Sequence, residues 1–86
     1  MPRVRVFYGI VIAMYYNDHA PPHFHAAYGE HEALLEIGSH RVVAGSVPSR
    51  ALRLVLDWAE LHDDELAGDW ELARLQEPLS TIEPLL

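Results

Sequence analysis

The first part of the chain carries a hydrophobic pattern typical of β-strands. β-Branched and aromatic residues dominate from Arg3 to Tyr16, and such residues fit a pleated, partly buried surface. We predict one long strand here, bent at Gly9. The part from Ile10 to Tyr16 lacks polar alternation, so we expect both of its faces to be covered. Helices would cover one face, and a partner, most simply a second copy of the chain, would cover the other.

Turn residues divide the next stretch into shorter strands. Pro21 and Pro22 lack N–H donors and interrupt the strand pattern with a stiff loop, and glycines mark two later turns. The predicted segments are a loop over 17–22 and strands over 23–28, 31–37 and 41–44, joined by turns at 29–30 and 38–40.

The second half of the chain has the periodicity of amphipathic helices. Pro48 suits the start of a helix that runs to about Leu61. A second helix is predicted from Asp63 to about Leu75, with acidic residues at the positive end of its dipole. Pro78 stops it, and the remaining residues form an extended tail. The predicted inward residues of this second helix are Leu66, Trp70 and Ala73.

These elements predict a single α+β domain over residues 1–86. We expect a three- or four-stranded antiparallel sheet packed on one face by two C-terminal helices, in the order ββββαα. The chain has no cysteine, which excludes disulfides, thiolate metal sites and cysteine nucleophiles. The N-terminus lacks the layout of a signal peptide, and the apolar run is too short to span a bilayer. We therefore expect a cytoplasmic protein without a membrane role.

The charge of the chain is strongly acidic. The formal net charge is −7, all six basic residues are arginine, and the interval 57–71 contains seven acids and no lysine or arginine. Nucleic-acid binding requires clustered positive charge, so we expect nucleic acid to be involved only indirectly. A basic partner or a divalent cation fits better, although acidic helix faces also serve solubility.

Three histidines within seven residues form the candidate site. His23 and His25 alternate along a strand and point to the same face, whereas His19 precedes the proline turn. Carboxylates and a further imidazole nearby complete a set of nitrogen and oxygen ligands suited to zinc, iron, manganese, copper or nickel. The candidate metal ligands are His19, His23, His25 and Glu30, with Asp18 and His31 as further candidates.

Other readings of the histidines stay open. They can be structural groups that hydrogen-bond backbone carbonyls near the prolines, or acid–base catalysts that act without metal, with Arg5 or Arg41 stabilising phosphate charge. Protonation of the histidines can also act as a pH switch. A nucleophilic triad is not supported, because no serine lies in a nucleophile-elbow motif.

The strings Phe7-Tyr8-Gly9-Ile10 and Pro21-Pro22-His23-Phe24-His25-Ala26, with Gly45-Ser46-Val47-Pro48 and Trp70-Glu71-Leu72-Ala73, resemble the small prokaryotic domain-of-unknown-function family 4160. This resemblance covers nearly the whole chain. Members of the family are often encoded beside another small domain, which implies a toxin–antitoxin-like or regulatory gene pair and a heteromeric partner. It assigns no catalytic residue.

Three functional hypotheses follow. The first is a small interaction protein of such a two-gene module, with a histidine-cluster site, acting as a homo-oligomer or with a small partner protein encoded nearby. The second is a metal-dependent hydrolase or nuclease in which the histidines bind the metal and Glu30 or Asp18 acts as base. The third is a purely structural cluster.

Overall fold

A computed structural model describes residues 3–16 and 18–85 of the chain. Met1, Pro2 and Leu86 at the ends of the predicted domain, and Asn17 in the predicted proline loop, lie outside the described residues. The elements are β1 (Arg3–Phe7), β2 (Ile10–Ala13), β3 (His23–Tyr28), β4 (His31–Glu36), β5 (Val42–Ser46), α1 (Ser49–Leu61) and α2 (Asp63–Arg74).

The strands form one antiparallel sheet in sequence order, β1-β2-β3-β4-β5. This confirms the predicted α+β class, with strands preceding two helices. The described part has five strands because the predicted long strand is a hairpin, in which Phe7 pairs with Ile10 across the turn residues Tyr8 and Gly9. Both turn residues have positive φ, +49° and +79°, as the turns favoured in two-residue hairpins require. Gly9 therefore reverses the strand instead of bending it.

One face of the sheet forms the core with the helices. Ile12 pairs with Ala26, and directly paired residues share a face. In the core, alternate residues of the strands pack against the inner side of α1, where Val55 and Trp58 are buried. Phe24 packs edge-on against Trp58, with 6.1 Å between ring centroids. The sheet is thus covered on this face by the C-terminal half, as predicted.

The two helices follow the predicted bounds closely. α2 buries the three expected residues, Leu66, Trp70 and Ala73, and carries three acids in its first turn. Leu61, the last residue of α1, is 70% exposed, although Trp58 and Ala59 in the same turn are buried. Within the described residues, no helix has the length and apolar character needed to cross a membrane.

The opposite face of the sheet is only partly shielded within one chain. Val6 pairs with Val11 on this face, and Val6 is exposed while Val11 and Leu34 are half-buried. The edge strand β5 is exposed along its whole length. The predicted covering of this face by a partner stays a prediction.

The C-terminal tail is held against the core. Ile82 is buried, its amide donates to Val4 O at 3.3 Å, and its carbonyl accepts from Arg5 Nε. Trp58 Nε1 donates to Glu83 O at 2.7 Å. The extended tail predicted from the sequence is therefore a strap that joins β1 to α1.

Candidate metal site

His23 and His25 stand side by side on the sheet face opposite the core. They alternate along β3, and Phe24 between them is fully buried on the other face. Their ring centroids are 5.4 Å apart. This arrangement confirms the prediction that strand periodicity presents the two imidazoles together.

The loop between β2 and β3 brings Asp18 onto the two rings. Asp18 Oδ2 lies 2.9 Å from His23 Nε2 and 3.3 Å from His25 Nε2. The Ala20–Pro21 peptide bond within this loop is cis. These three side chains are the group that can converge on one ion among residues 3–16 and 18–85, with their ligand atoms all within 4.8 Å of one another.

The other nitrogen of each imidazole has its own acceptor. His23 Nδ1 lies 2.7 Å from Pro21 O, and His25 Nδ1 lies 3.2 Å from Glu32 Oε2. Glu32 reaches His25 diagonally, because β4 pairs Leu34 with His25 and Glu32 with Ala27. Both rings are therefore oriented by partners outside the group formed with Asp18.

Aromatic side chains support the two rings from the sides. His23 is buried, and its ring centroid lies 5.3 Å from that of Trp70 in α2. Tyr15 meets the His25 ring edge-on at 4.5 Å. The His25 and Asp18 side chains retain 13% and 18% of their exposure. The group is thus fixed on the His23 side and accessible from the side of Asp18 and His25.

The environment of Asp18 favours its ionised form. Burial by itself raises the pKa of this carboxyl group. The hydrogen bonds from His25 and from the His19 amide, together with the charge and hydrogen bond of His23, outweigh burial and hold the pKa below its ordinary value. The carboxylate is therefore an anion at neutral pH.

Hydrogen-bond chemistry limits what can lie between Asp18 and His23. A carbonyl only accepts, so His23 Nδ1 must carry a proton to bond Pro21 O. In a neutral ring, Nε2 then presents a lone pair to the Asp18 carboxylate 2.9 Å away. That contact is repulsive unless a positive charge is shared between them. A second proton or a metal ion meets this requirement.

A family model described as Domain of unknown function (DUF4160) matches residues 9–71, well over half of the chain. The chain belongs to this family. The matched region includes Asp18, His23, His25 and Glu32, whereas β1 and the tail strap lie outside it. No curated protein and no solved structure matches the chain.

The DUF4160 chain does not bring all of the predicted ligands together. The His19 side chain is 92% exposed, and its Nδ1 lies 3.4 Å from Asp18 Oδ1, which is not the oxygen that His23 and His25 share. Glu30 and His31 lie at the β3–β4 turn, where Tyr28 pairs with His31. Glu30 and His31 therefore lie at the turn end of the β3–β4 hairpin, whereas His23 lies at the opposite end of β3.

Glu32 is a site residue for which no role was predicted from the sequence. The signal was present in the turn at Gly29-Glu30: a two-residue hairpin fixes the register, and that register places Glu32 diagonally to His25. Trp70 was predicted correctly as inward, but its contact with His23 depends on how α2 packs and has no local signal.

Proposed function

We propose that this protein binds one divalent transition-metal ion through Asp18 Oδ2, His23 Nε2 and His25 Nε2. The observation that supports this most directly is the position of the second nitrogens. Each Nδ1 has an acceptor, Pro21 O or Glu32 Oε2, so each Nε2 is left to face Asp18. Metal-binding histidines characteristically donate their other N–H to a carbonyl or carboxylate in this way.

The distances also suit an ion. With metal–ligand bonds of about 2.0–2.1 Å, neighbouring ligand atoms are about 2.9 Å apart in an octahedron and about 3.3 Å apart in a tetrahedron. The contacts of Asp18 Oδ2 with the two Nε2 atoms, 2.9 and 3.3 Å, fall in this range. The two Nε2 atoms lie within 4.8 Å of each other, so the side chains have to adjust when the ion binds.

The composition of the ligand set narrows the choice of ion and its use. Two imidazoles and one carboxylate suit zinc, iron, manganese, copper or nickel. Three protein ligands leave at least one position for water, as in catalytic rather than structural zinc sites. A bound ion of this kind lowers the pKa of its water and supplies a nucleophile for hydrolysis. We therefore propose metal-dependent hydrolysis as the reaction class, with Asp18 and His25 on the accessible side.

Metal content and its dependence on single residues test this proposal. Protein purified without a polyhistidine tag and analysed for elements should contain about one equivalent of metal, and His25→Ala should lose it. The matched control is His31→Ala, which removes an imidazole from the far end of the same hairpin and should retain the metal. Metal-free protein that does not take up zinc, or equal metal content in both variants, would contradict the proposal.

A structural role of the cluster gives a different result in the same experiment. His23 is buried against Trp70, so His23→Ala should lower the melting temperature under either hypothesis. Only the metal site predicts that added zinc raises the melting temperature of the wild type and leaves that of His25→Ala unchanged. A zinc effect absent from both proteins would favour the structural role.

A second candidate function is an interaction protein of a toxin-antitoxin-like or regulatory two-gene module. The exposed Val6, the half-buried Val11 and Leu34, and the open edge of β5 favour it, since apolar sheet faces and free edges bind other chains. Light scattering and co-purification with the product of the adjacent gene test it. A strictly monomeric protein that does not bind that product would contradict it.

A further inference from the structure

A cavity lies at the end of the sheet away from His23 and His25. It has a volume of about 720 Å³ and is lined by Tyr8, Tyr28, Pro48, Arg50, Ala51 and Leu54. This volume falls within the range of small-molecule sites. The cavity is bounded by the β1–β2 turn, the end of β3 and the first turns of α1. The metal-site residues do not line it.

Two tyrosine rings form aromatic walls of this cavity. The Tyr8 ring packs edge-on against Phe7 at 6.2 Å between centroids, and 58% of Tyr8 remains exposed. Tyr28 lies against Gly9, where a Cβ atom would be 3.5 Å from the Tyr28 ring. The rings are thus anchored on the protein side and offer surface to the cavity.

The backbone conformation at Tyr8 is unusual for a tyrosine. Its φ of +49° is in the left-handed region, and a two-residue turn of this kind favours asparagine or glycine at that position. Tyrosine is strained in this conformation. Strain of this type is concentrated at functional sites, where a particular side chain is needed.

Three polar donors in the cavity have no partner among the residues that the structure describes. Among residues 3–16 and 18–85, the Arg50 guanidinium takes part in no ion pair and the hydroxyl groups of Tyr8 and Tyr28 form no hydrogen bond. α1 has no acidic residue in its first turn. Within the first turn of α1, the charge of Arg50 is therefore not offset by an acidic side chain.

We propose that the cavity binds a planar aromatic anion of mononucleotide size. The aromatic part stacks on Tyr8 and Tyr28, as bases do on exposed aromatic side chains. The anionic part, a phosphate or carboxylate, accepts hydrogen bonds from Arg50. The overall negative charge disfavours a long polyanion, so the ligand is a free small molecule and not a nucleic-acid strand.

Binding of the four common nucleoside monophosphates, measured by calorimetry at millimolar concentration, tests this inference. At least one should bind saturably, and the corresponding nucleoside should bind about 10-fold more weakly because it lacks the charge that Arg50 recognises. Arg50→Gln should remove this preference for the phosphate. The matched control is Arg53→Gln, which makes the same charge change on an arginine that pairs with Asp57 at 3.5 Å and does not line the cavity.

Tyr8→Asn separates loss of binding from loss of folding. It removes the ring but supplies a residue that the turn favours, so the melting temperature should be maintained or raised while binding falls by about 10-fold. Tyr16→Leu, which alters an exposed tyrosine outside the cavity, should bind normally. No saturable binding of any monophosphate, unchanged binding in Tyr8→Asn, or tighter binding of a short single-stranded oligonucleotide would overturn the inference.

Discussion

Asp18 and Asp69 are both withdrawn from solvent, and their environments act on them in opposite directions. Asp18 lies between two imidazoles, and its pKa is held below the ordinary value. Asp69 is almost completely buried in α2, and burial raises its pKa, with Glu65 adding to the rise and the hydrogen bond from Ser80 opposing it. One carboxylate is surrounded by groups that stabilise its charge, and the other is not.

The partners of the two carboxylates show what each is for. Asp69 Oδ1 accepts the Ser80 amide at 2.9 Å, and its Oδ2 has no hydrogen-bond partner among the described residues. Through this hydrogen bond Asp69 holds the tail strap against α2. Its buried negative charge lowers the stability of the fold. At Asp18 one oxygen is shared by two imidazoles whose other nitrogens are already bonded. Burial alone therefore does not identify a site, whereas the arrangement of partners does.

The largest expected effect is that of Asp18→Asn on metal affinity. The substitution removes the anionic ligand that both Nε2 atoms face. Loss of a partner outside the ligand set costs about 10–100-fold in metal affinity, so loss of a ligand should cost at least about 100-fold, measured by zinc titration. Asp69→Asn should leave zinc affinity unchanged. Equal zinc affinity of the wild type and Asp18→Asn would mean that Asp18, like Asp69, is not a metal ligand.

Ile82→Ala tests the tail strap that Asp69 helps to hold. Ile82 is fully buried in the core beside β1. Truncation of a buried isoleucine to alanine should lower the free energy of unfolding by about 2–4 kcal/mol, measured by urea denaturation. Zinc affinity of the folded protein should be unaffected, because no hydrogen bond or ring contact joins the described residues of the strap to His23 or His25. A stability loss below about 0.5 kcal/mol, the level of a typical surface change, would show that the strap is not part of the core.

Glu32→Gln tests whether Glu32 orients His25 in the metal site. Glu32 accepts from His25 Nδ1 at 3.2 Å. Loss of this charged acceptor should weaken zinc binding by about 10–100-fold without removing it. Glu30→Gln is the matched control, since Glu30 lies two residues away at the exposed turn. An equal effect of the two substitutions would indicate general electrostatics instead of a specific contact.

Asp69→Asn is expected to have the smallest effect, with a defined pH dependence. Because the pKa of Asp69 is raised in the folded protein, this group favours folding below its unfolded pKa, and that contribution is lost as the pH rises through the folded value. Asparagine does not titrate and retains an oxygen for the Ser80 amide. It should therefore stabilise the protein by about 1 kcal/mol at neutral pH.

The stabilising effect of Asp69→Asn should decrease as the pH is lowered, because wild-type Asp69 is then protonated. Urea denaturation at several pH values between neutral and acidic measures this. A difference between the two proteins that does not change with pH would mean that the Asp69 charge is not the source of the effect.

Much of the fold follows from local sequence signals. Alternation along β3 and β4, the start of α1 after Pro48 and the acidic first turn of α2 are local features, and each matches the structure. The β1–β2 hairpin was harder to predict from the sequence. Tyr8-Gly9 has only one of the two residues that normally mark such a turn, so the pattern indicated a bend where the chain reverses.

Only the part of the site that lies on a single strand could be predicted from the sequence. The shared face of His23 and His25 follows from a period of two residues. Asp18 lies in a loop with no periodicity, and only the folded loop selects it over His19. Glu30 was expected as a ligand on sequence proximity, yet the register carries it to the far end of the hairpin. Spacing along a chain thus predicts neighbours on one strand better than neighbours across a loop.

The most direct test of the metal site follows the imidazole nitrogens during a zinc titration. Long-range ¹H–¹⁵N NMR spectra distinguish Nδ1 from Nε2 in each histidine. Coordination through Nε2 predicts that zinc shifts Nε2 of His23 and His25, that both rings keep their Nδ1 protons, and that His31 does not respond. Spectra in which His23 and His25 are unchanged by zinc, or in which zinc displaces their Nδ1 protons instead, would contradict it.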